Sequence, residues 1–328
     1  MFKRSLLLVA LVFLPPPDAM GQDFPSRPIR IIVPNPPGGA GDISARLIGQ
    51  KLSESLRQPV VIENQAGASG SIGMNMLKRA APDGSTLGVV ISLAQTIDLI
   101  QNKKASFDIA RDFTPITAIA NNPAGLVVNS QVTAASLTQF IDHVRRRPGE
   151  MSYGSAGIGT AHHLYGQVLN RRAGIEMLYV PYKGVTPALN DLLGRHVPTA
   201  IVSLAAALPH IQNGRLRLLT VFDTKRYAKL PEVPTISEEV PTISEEVPSF
   251  EPGRAWIGLL APHALPGAIT ARLHEEVVRI LNSADVQQLL GDNGLETIAN
   301  TPSEFAAMIR TDAKIWDEAA VSAGLVGQ

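Results

Sequence analysis

Cysteine is absent from the 328-residue chain. Without a thiol, the protein cannot form disulfides, thiolate zinc sites, iron–sulfur clusters or a cysteine nucleophile. An excess of either charge is absent as well, because 29 Lys and Arg balance 29 Asp and Glu. Since binding to a phosphate backbone requires a basic surface, this composition argues against a nucleic-acid partner.

Hydrophobic runs of membrane-spanning length are also missing. The N-terminal apolar run, Ser5–Leu14, has ten residues, whereas a bilayer span needs about 20. Two basic residues precede this run and small residues follow it, which is the order of a secretory signal peptide. We therefore predict that residues 1–21 are removed near Gly21/Gln22 and that the protein is exported and soluble. An uncleaved apolar N-terminus is the alternative.

The usual catalytic motifs are missing from the sequence. It contains no GxSxG elbow, no HExxH and no SxxK tied to a KTG, and its glycine-rich segments do not fit the nucleotide-binding motifs. His162 and His163 are adjacent, but Gly166 and Gln167 occupy the positions one helical turn further on. No pair of metal ligands is therefore formed. We predict a protein that is not an enzyme and needs neither a metal nor a cofactor.

Short apolar runs alternate with helical patterns along the rest of the chain, and this order predicts an α/β fold with helices on the faces of parallel sheets. The predicted strands are Ile29–Val33, Val60–Glu63, Leu87–Ser92, Ala124–Asn129, Met151–Gly154, Glu176–Val180, Thr199–Val202, Leu216–Phe222 and Trp256–Leu260. The pattern restarts after Pro123. We therefore predict one domain from 22–123 plus 252–328, and a second, inserted domain from 124–251.

The predicted helices include one along Ile43–Leu56, one around Ile72–Leu77 and those of the second half of the chain. The latter are Leu137–Arg146, Thr160–Arg171, Ala188–Leu193, Ala268–Leu281, Ala284–Asn293 and Pro302–Ala323. Thr186 is predicted to cap the helix Ala188–Leu193. The final helices have no sheet of their own, so we expect them to pack on the first unit.

Three glycine-rich turns, Pro37–Asp42, Gly67–Ser71 and Ser155–Thr160, each lead into a predicted helix. A helix N-terminus exposes unpaired N–H groups and attracts anions, and glycine allows a ligand to approach the backbone. Each turn either binds a small anion or is a tight connection without a ligand. The first and third turns lie in different units, where they could hold a small carboxylate from both sides of a cleft. Asp42 and Thr160 are predicted helix caps.

A tandem repeat of seven residues follows the predicted strand Leu216–Phe222. Val233–Glu239 and Val240–Glu246 have the identical sequence VPTISEE. Seven residues are too few for a solenoid repeat. We interpret the repeat as a duplication in a surface loop, where inserted residues are tolerated and the pair Glu238–Glu239 is solvated.

Segments along nearly the whole chain resemble one known family. They include FPSRPIRIIVPNPPGGAGDISARLIGQKL, QPVVIENQAGASGSIG, APDGSTL, DFTPI, YGSAGIGTAHHL, VPYKG, PALNDLLG, NGRLRLL and KLPEVPTISE. As an ordered set they resemble the substrate-binding receptors of tripartite tricarboxylate transporters, the Bug family. The resemblance implies a two-domain fold of the type II periplasmic-binding-protein class. Each domain would have a mixed, mostly parallel sheet flanked by helices, with the ligand cleft between the domains.

The resemblance also implies which residues contact the ligand. They are Pro37, Gly38, Gly39, Ala40, Gly41 and Asp42 in the first turn, Ser92, Ala94 and Gln95 after the third strand, Ser155, Gly157, Gly159 and Thr160 in the third turn, His163 in the helix after it, and Tyr182 and Lys183 in the YKG turn. Gly41 departs from the family pattern, which often has Thr or Ser at this position. The hydroxyl that such a residue would offer the ligand is therefore missing here.

The implied function is that of a monomeric periplasmic receptor. It would close around a small carboxylate, such as a dicarboxylate, a tricarboxylate, an aromatic acid or an acidic amino acid, and deliver it to a membrane transporter. Presentation of the bound acid to a sensor kinase is the alternative, and an exported enzyme is a further rival.

Overall fold

A computed structural model describes residues 24–102, 105–239, 253–322 and 324–326. The predicted signal peptide, residues 1–21, lies outside the described residues, as does the second copy of the heptad, Val240–Glu246. Among the residues described, no helix is long and apolar enough to cross a membrane.

The described strands form two sheets. They are β1 (Ile29–Val33), β2 (Val60–Asn64), β3 (Thr86–Ile91), β4 (Phe113–Asn121), β5 (Ala124–Asn129), β6 (Ser152–Ser155), β7 (Leu178–Pro181), β8 (Thr199–Ser203), β9 (Leu216–Phe222), β10 (Trp256–Pro262) and β11 (Glu296–Thr297). The first sheet has the order β11-β4-β10-β3-β1-β2, and the second has the order β7-β6-β8-β5-β9. The chain thus leaves the first sheet after β4 and returns to it with β10.

Helices cover both faces of the two sheets. They are α1 (Ala40–Leu56), α2 (Ser71–Arg79), α3 (Ala94–Asn102), α4 (Ile109–Asp112), α5 (Leu137–Arg145), α6 (Ala161–Ala173), α7 (Val185–Leu193), α8 (Leu204–Gln212), α9 (Ile236–Glu239), α10 (Gly267–Leu281), α11 (Ala284–Asp292) and α12 (Pro302–Ser322). In the first unit, α1 and α10 pack on one face of the sheet, while α2 and α12 pack on the other. In the second unit, α5 and α6 face α7 and α8 across the sheet.

Both sheets are mixed, as the family resemblance implies. Parallel pairing joins β2-β1-β3 in the first sheet and β7-β6-β8 in the second. The strands next to the connections between the units, β4, β5, β9 and β10, pair antiparallel. Among the described strands, five of the nine pairs are antiparallel, so the expectation of mostly parallel sheets is wrong. The reason is that a strand that returns from the other unit enters its sheet from the opposite end.

Helix α12 contacts both units. Phe305, near its beginning, belongs to the core of the first unit, whereas Trp316 and Ala320 belong to the core of the second. The Trp316 ring packs on Tyr165 of α6 at a centroid distance of 5.2 Å. The expectation that the final helices pack on the first unit is therefore wrong for the C-terminal half of α12.

The predicted start of α7 is also wrong. The helix begins at Val185, its N-cap is Gly184, and Thr186 lies within its first turn. Gly184 has a φ of +125°, a backbone conformation that a side chain disfavours. The chain can therefore turn sharply after β7 and enter the helix earlier than the Thr-Pro pair indicates.

The first copy of the heptad is anchored in the second unit. Thr235 and Ile236 are buried, and the Pro234 carbonyl accepts a hydrogen bond from the N–H of Val221 at 3.1 Å. Glu238 forms an ion pair with Arg226 at 3.0 Å. The interpretation of this copy as a surface loop is therefore wrong, because Thr235 and Ile236 pack against β9, whereas Glu238 remains exposed to solvent.

Candidate functional site

The carboxyl ends of the parallel strands lie on the edge of each sheet where the chain crosses between the units. In the first unit, the end of β3 at Ile91 pairs with the start of β10 at Ile257. In the second, the end of β8 at Ser203 pairs with the start of β5 at Ala124. Ligands of open α/β sheets bind outside the carboxyl ends of the strands. The loops at these two edges are therefore the candidate site.

The first candidate loop joins β1 to α1 and contains Pro37, Gly38 and Gly39. Gly39 is the N-cap of α1, and no side chain caps this helix end. Among the described residues, no atom lies within 4 Å of the position that a Cβ would occupy at Gly38 or Gly39. The first N–H groups of the helix, those of Ala40 and Gly41 among them, have no partner within the helix itself. The loop thus offers donors and the positive end of the helix dipole to an open space.

Asp42 has a different role from the predicted N-cap. It is the third residue of α1, and its carboxylate accepts the N–H of Gly38 at 2.9 Å, the Nε of Arg46 at 3.0 Å and the Nδ2 of Asn64 at 2.9 Å. Burial raises the pKa of this carboxyl, but these hydrogen bonds outweigh burial and hold the pKa below its usual value. Asp42 therefore fixes the first loop, and Arg46 balances its negative charge.

The residues after β3 have separate roles. The Ser92 side chain is buried, and its hydroxyl has no hydrogen-bond partner among the residues described. Ala94 is the first residue of α3 and is also buried. The side-chain Oε1 of Gln95 accepts the N–H of Ile109 at 2.9 Å, and its Nε2 donates to the Asp317 carboxylate at 3.5 Å. The Ser92 hydroxyl is thus buried and unpaired among the described residues, whereas Gln95 is engaged in contacts within the first unit.

The second candidate loop, Ser155–Thr160, joins β6 to α6. The predicted cap at Thr160 is confirmed, because its hydroxyl accepts the N–H of His163. The same hydroxyl donates to the Gly157 carbonyl at 2.7 Å. Ser155 accepts the N–H of Gly157 at 3.2 Å. The loop is therefore held by hydrogen bonds from both of its ends.

The YKG turn supports this second loop. The N–H of Tyr182 donates to the Ser155 carbonyl at 3.1 Å, and the Tyr182 hydroxyl donates to Asp191 at 2.7 Å. Burial, together with the Asp191 carboxylate, raises the pKa of Tyr182 to about 12. Lys183 is exposed. Because its hydroxyl is already engaged, Tyr182 contributes the position of its backbone and ring to the loop.

The second loop also touches the first unit. A Cβ at Gly159 would stand 3.8 Å from Ile97 and 3.9 Å from Ile100, both on α3. The helix that follows β3 and the loop that follows β6 are thus brought together. The glycine-rich turn Gly67–Ser71 is different: Gly70 and Gly73 pack closely on Pro34, which fits a tight connection.

Two further residues that sequence reasoning did not single out belong to this region. Asn64, at the end of β2, joins Asp42 to the carbonyl of Asn35. Tyr179 of β7 stacks on the His163 ring with a centroid distance of 4.1 Å. The available signal for Asn64 was its position at the carboxyl end of a parallel strand, whereas Tyr179 lies within β7 and had no such signal. Over the described part of the chain, no group of three or more His, Asp or Glu residues is arranged to hold a metal ion.

Comparison with known proteins identifies the family. The sequence model described as "Tripartite tricarboxylate transporter family receptor" matches residues 44–324. The chain belongs to this receptor family. The receptor is 32% identical to Protein BugT of Bordetella pertussis over 294 residues, which cover 89% of this chain and 88% of BugT. This confirms the resemblance noted in the sequence.

Solved structures agree with this assignment. The receptor is similar to R. palustris Rpa4515 with adipate, at 31% identity and a TM-score of 0.76, over 92% of this chain and 99% of that one. It is also similar to MatC from Rhodopseudomonas palustris with bound malate, at 29% identity and a TM-score of 0.75, over 90% and 99% of the two chains. The relatives are solute-binding receptors rather than enzymes. The two-unit α/β fold and the prediction that the protein is not an enzyme are thereby confirmed.

Proposed function

We propose that the protein is a periplasmic receptor that captures a small carboxylate between its two units and delivers it to a tripartite tricarboxylate-type membrane transporter. The open end of α1 carries this proposal. Gly38 and Gly39 leave free space in front of the first N–H groups of the helix, and Arg46 balances the charge of Asp42. An anion can therefore bind there without repulsion from an unpaired carboxylate.

A second group of donors supports binding from the opposite side. In the loop Ser155–Thr160, the N–H groups of Ala156 and Ile158 have no partner within the described structure. Hinge closure would bring these groups onto the ligand that α1 already holds. The adipate and malate bound in the two relatives support a dicarboxylate as the class of ligand.

A thermal-shift panel tests carboxylate binding. Mono-, di- and tricarboxylates, aromatic acids and acidic amino acids are compared with their neutral amides, for example adipate with adipamide. A ligand at 100 times its dissociation constant stabilises a protein by about 2.7 kcal/mol, which raises the melting temperature by several degrees. We expect at least one acid to raise the melting temperature while its amide does not. Equal shifts with acid and amide would contradict the proposal.

Delivery to a transporter needs a separate test in the producing cell. We expect deletion of the gene to abolish uptake of the acid that the panel identifies. Uptake that continues while induction by the acid is lost would instead assign the receptor to sensing.

A further inference from the structure

The His163 side chain lies behind the second loop rather than in front of it. Its Nδ1 accepts the N–H of Gly159 at 3.2 Å, and its ring stacks on Tyr179 with an interplanar angle of 23°. The side chain is buried. An imidazole nitrogen accepts a hydrogen bond only when it carries no proton, so this geometry requires neutral His163 with its hydrogen on Nε2.

The loop amides alternate between two environments. Gly157 and Gly159 donate toward the protein, to Ser155 Oγ and His163 Nδ1. Ala156 and Ile158 find no acceptor among the residues described. Gly157 and Gly159 have φ angles of +130° and +81°, which a side chain disfavours. Ser155 Oγ and His163 Nδ1 are thus the two acceptors that hold the glycine amides toward the protein.

We propose that His163 is a positioning residue for the ligand: by accepting the Gly159 N–H at Nδ1, it directs the Ala156 and Ile158 N–H groups toward the carboxylate. This inference rests on the proposed carboxylate-binding function and assigns His163 a role without ligand contact. Protonation of His163 would replace the acceptor by a donor and release the Gly159 amide.

The surroundings of His163 favour the neutral form. The titratable groups that face it are Tyr179 of β7 and Tyr153 of β6, whose hydroxyl donates to the His163 carbonyl at 3.3 Å. His162 precedes it on α6. Burial lowers the pKa of His163 to about 4. The Gly159 N–H and the Tyr179 ring are the partners that the structure gives to this imidazole.

Two substitutions separate positioning from direct ligand contact. In His163→Asn, the side-chain oxygen can take the place of Nδ1 and accept the Gly159 N–H. In His163→Gln, the longer side chain places its polar atoms near the position of Nε2 instead. Both variants lose the stacking on Tyr179, so each controls for the other. We expect His163→Asn to keep the ligand dissociation constant within about threefold and His163→Gln to raise it about tenfold or more, the effect of one lost buried hydrogen bond. The opposite order would show that Nε2 contacts the ligand and would overturn the proposal.

A second readout requires no ligand. In the full-length protein, hydrogen exchange of the Gly159 amide should accelerate about tenfold or more in His163→Gln and stay near the wild-type rate in His163→Asn. As the pH falls toward 4, ligand affinity should also decrease more steeply for the wild type than for His163→Asn. Protonation of the ligand affects both proteins equally, so the difference between the two profiles reports on His163. Identical pH profiles, or unchanged exchange in His163→Gln, would refute the positioning role. Absence of binding to any carboxylate by the wild type would refute the proposed function, while the exchange measurement would still decide how His163 acts.

Discussion

Substitution of Gly39 by Asp tests whether the start of α1 binds an anion. Gly39 has a φ of −83° and occupies the N-cap position, where Asp is among the most favourable residues. No atom lies within 4 Å of its Cβ position, so the side chain fits without displacing a neighbour. We expect the free energy of unfolding to stay within about 0.5 kcal/mol of the wild-type value or to rise.

Ligand affinity should respond in the opposite direction. The new carboxylate would stand next to the helix amides that we assign to the ligand and would compete for them. Two unit charges about 5 Å apart, at an effective dielectric constant of about 20–40, repel each other by about 1.7–3.3 kcal/mol. This energy corresponds to an increase of about 20- to 250-fold in the dissociation constant.

Gly267→Asp is the matched control. Gly267 is the first residue of α10 and also has no atom within 4 Å of its Cβ position. It follows β10, whose carboxyl end lies at the edge of the sheet opposite the candidate site. Calorimetric titration of both variants and urea unfolding measure affinity and stability separately. Wild-type affinity in Gly39→Asp, or an equal loss in Gly267→Asp, would refute the assignment of the first loop.

Three further predictions concern stability. Asp42→Asn should lower the free energy of unfolding by about 1–3 kcal/mol at pH 7, because an amide cannot satisfy the donors around the carboxylate. The pKa of Asp42 is lowered from 3.8, so this stabilisation is present above pH 3.8 and is lost as the pH falls below that value. Equal urea midpoints for the wild type and Asp42→Asn at pH 7 would contradict the assigned role. Asp312 accepts the Trp256 indole N–H at 2.9 Å, and burial raises its pKa to about 6. The wild type should therefore lose stability as the pH rises from about 4 to 6, and Asp312→Asn should remove that dependence. The variant's free energy of unfolding should be about 1–3 kcal/mol higher than that of the wild type at pH 7. If the two proteins show the same pH dependence, the assigned role of Asp312 is wrong. Removal of Val240–Glu246 gives the same sequence as removal of the first copy, and it therefore leaves one anchored heptad. We expect the melting temperature and the ligand affinity to stay close to the wild-type values. A large loss of either quantity would show that the second copy is needed.

Much of the fold could be predicted from local sequence patterns. The bounds of β1, β5 and β9 agree with the prediction, because each is a short apolar run that ends at turn-forming residues. β4 was missed because Pro115 interrupts its pattern. In the structure, Pro115 faces Leu260 next to a register irregularity, where a ladder hydrogen bond is dispensable. α8 contains Pro209 and was missed for a similar reason.

The candidate site was predictable in its loops but not in the directions of its side chains. Glycine-rich turns before helices indicate where backbone donors lie, since this property depends on a few adjacent residues. The partners of Asp42 and Gln95 come from residues distant in sequence, Asn64 and Ile109. Such contacts depend on the packing of elements, and no local pattern specifies them.

A crystal structure with the best ligand of the panel tests the central claim most directly. We predict one ligand carboxylate within hydrogen-bond distance, about 2.7–3.2 Å, of N–H groups at the start of α1. The Ala156 and Ile158 N–H groups should contact the ligand from the other side. Two results would contradict this claim. One is a ligand carboxylate paired with the exposed Lys183, and the other is a ligand bound away from the carboxyl ends of the parallel strands.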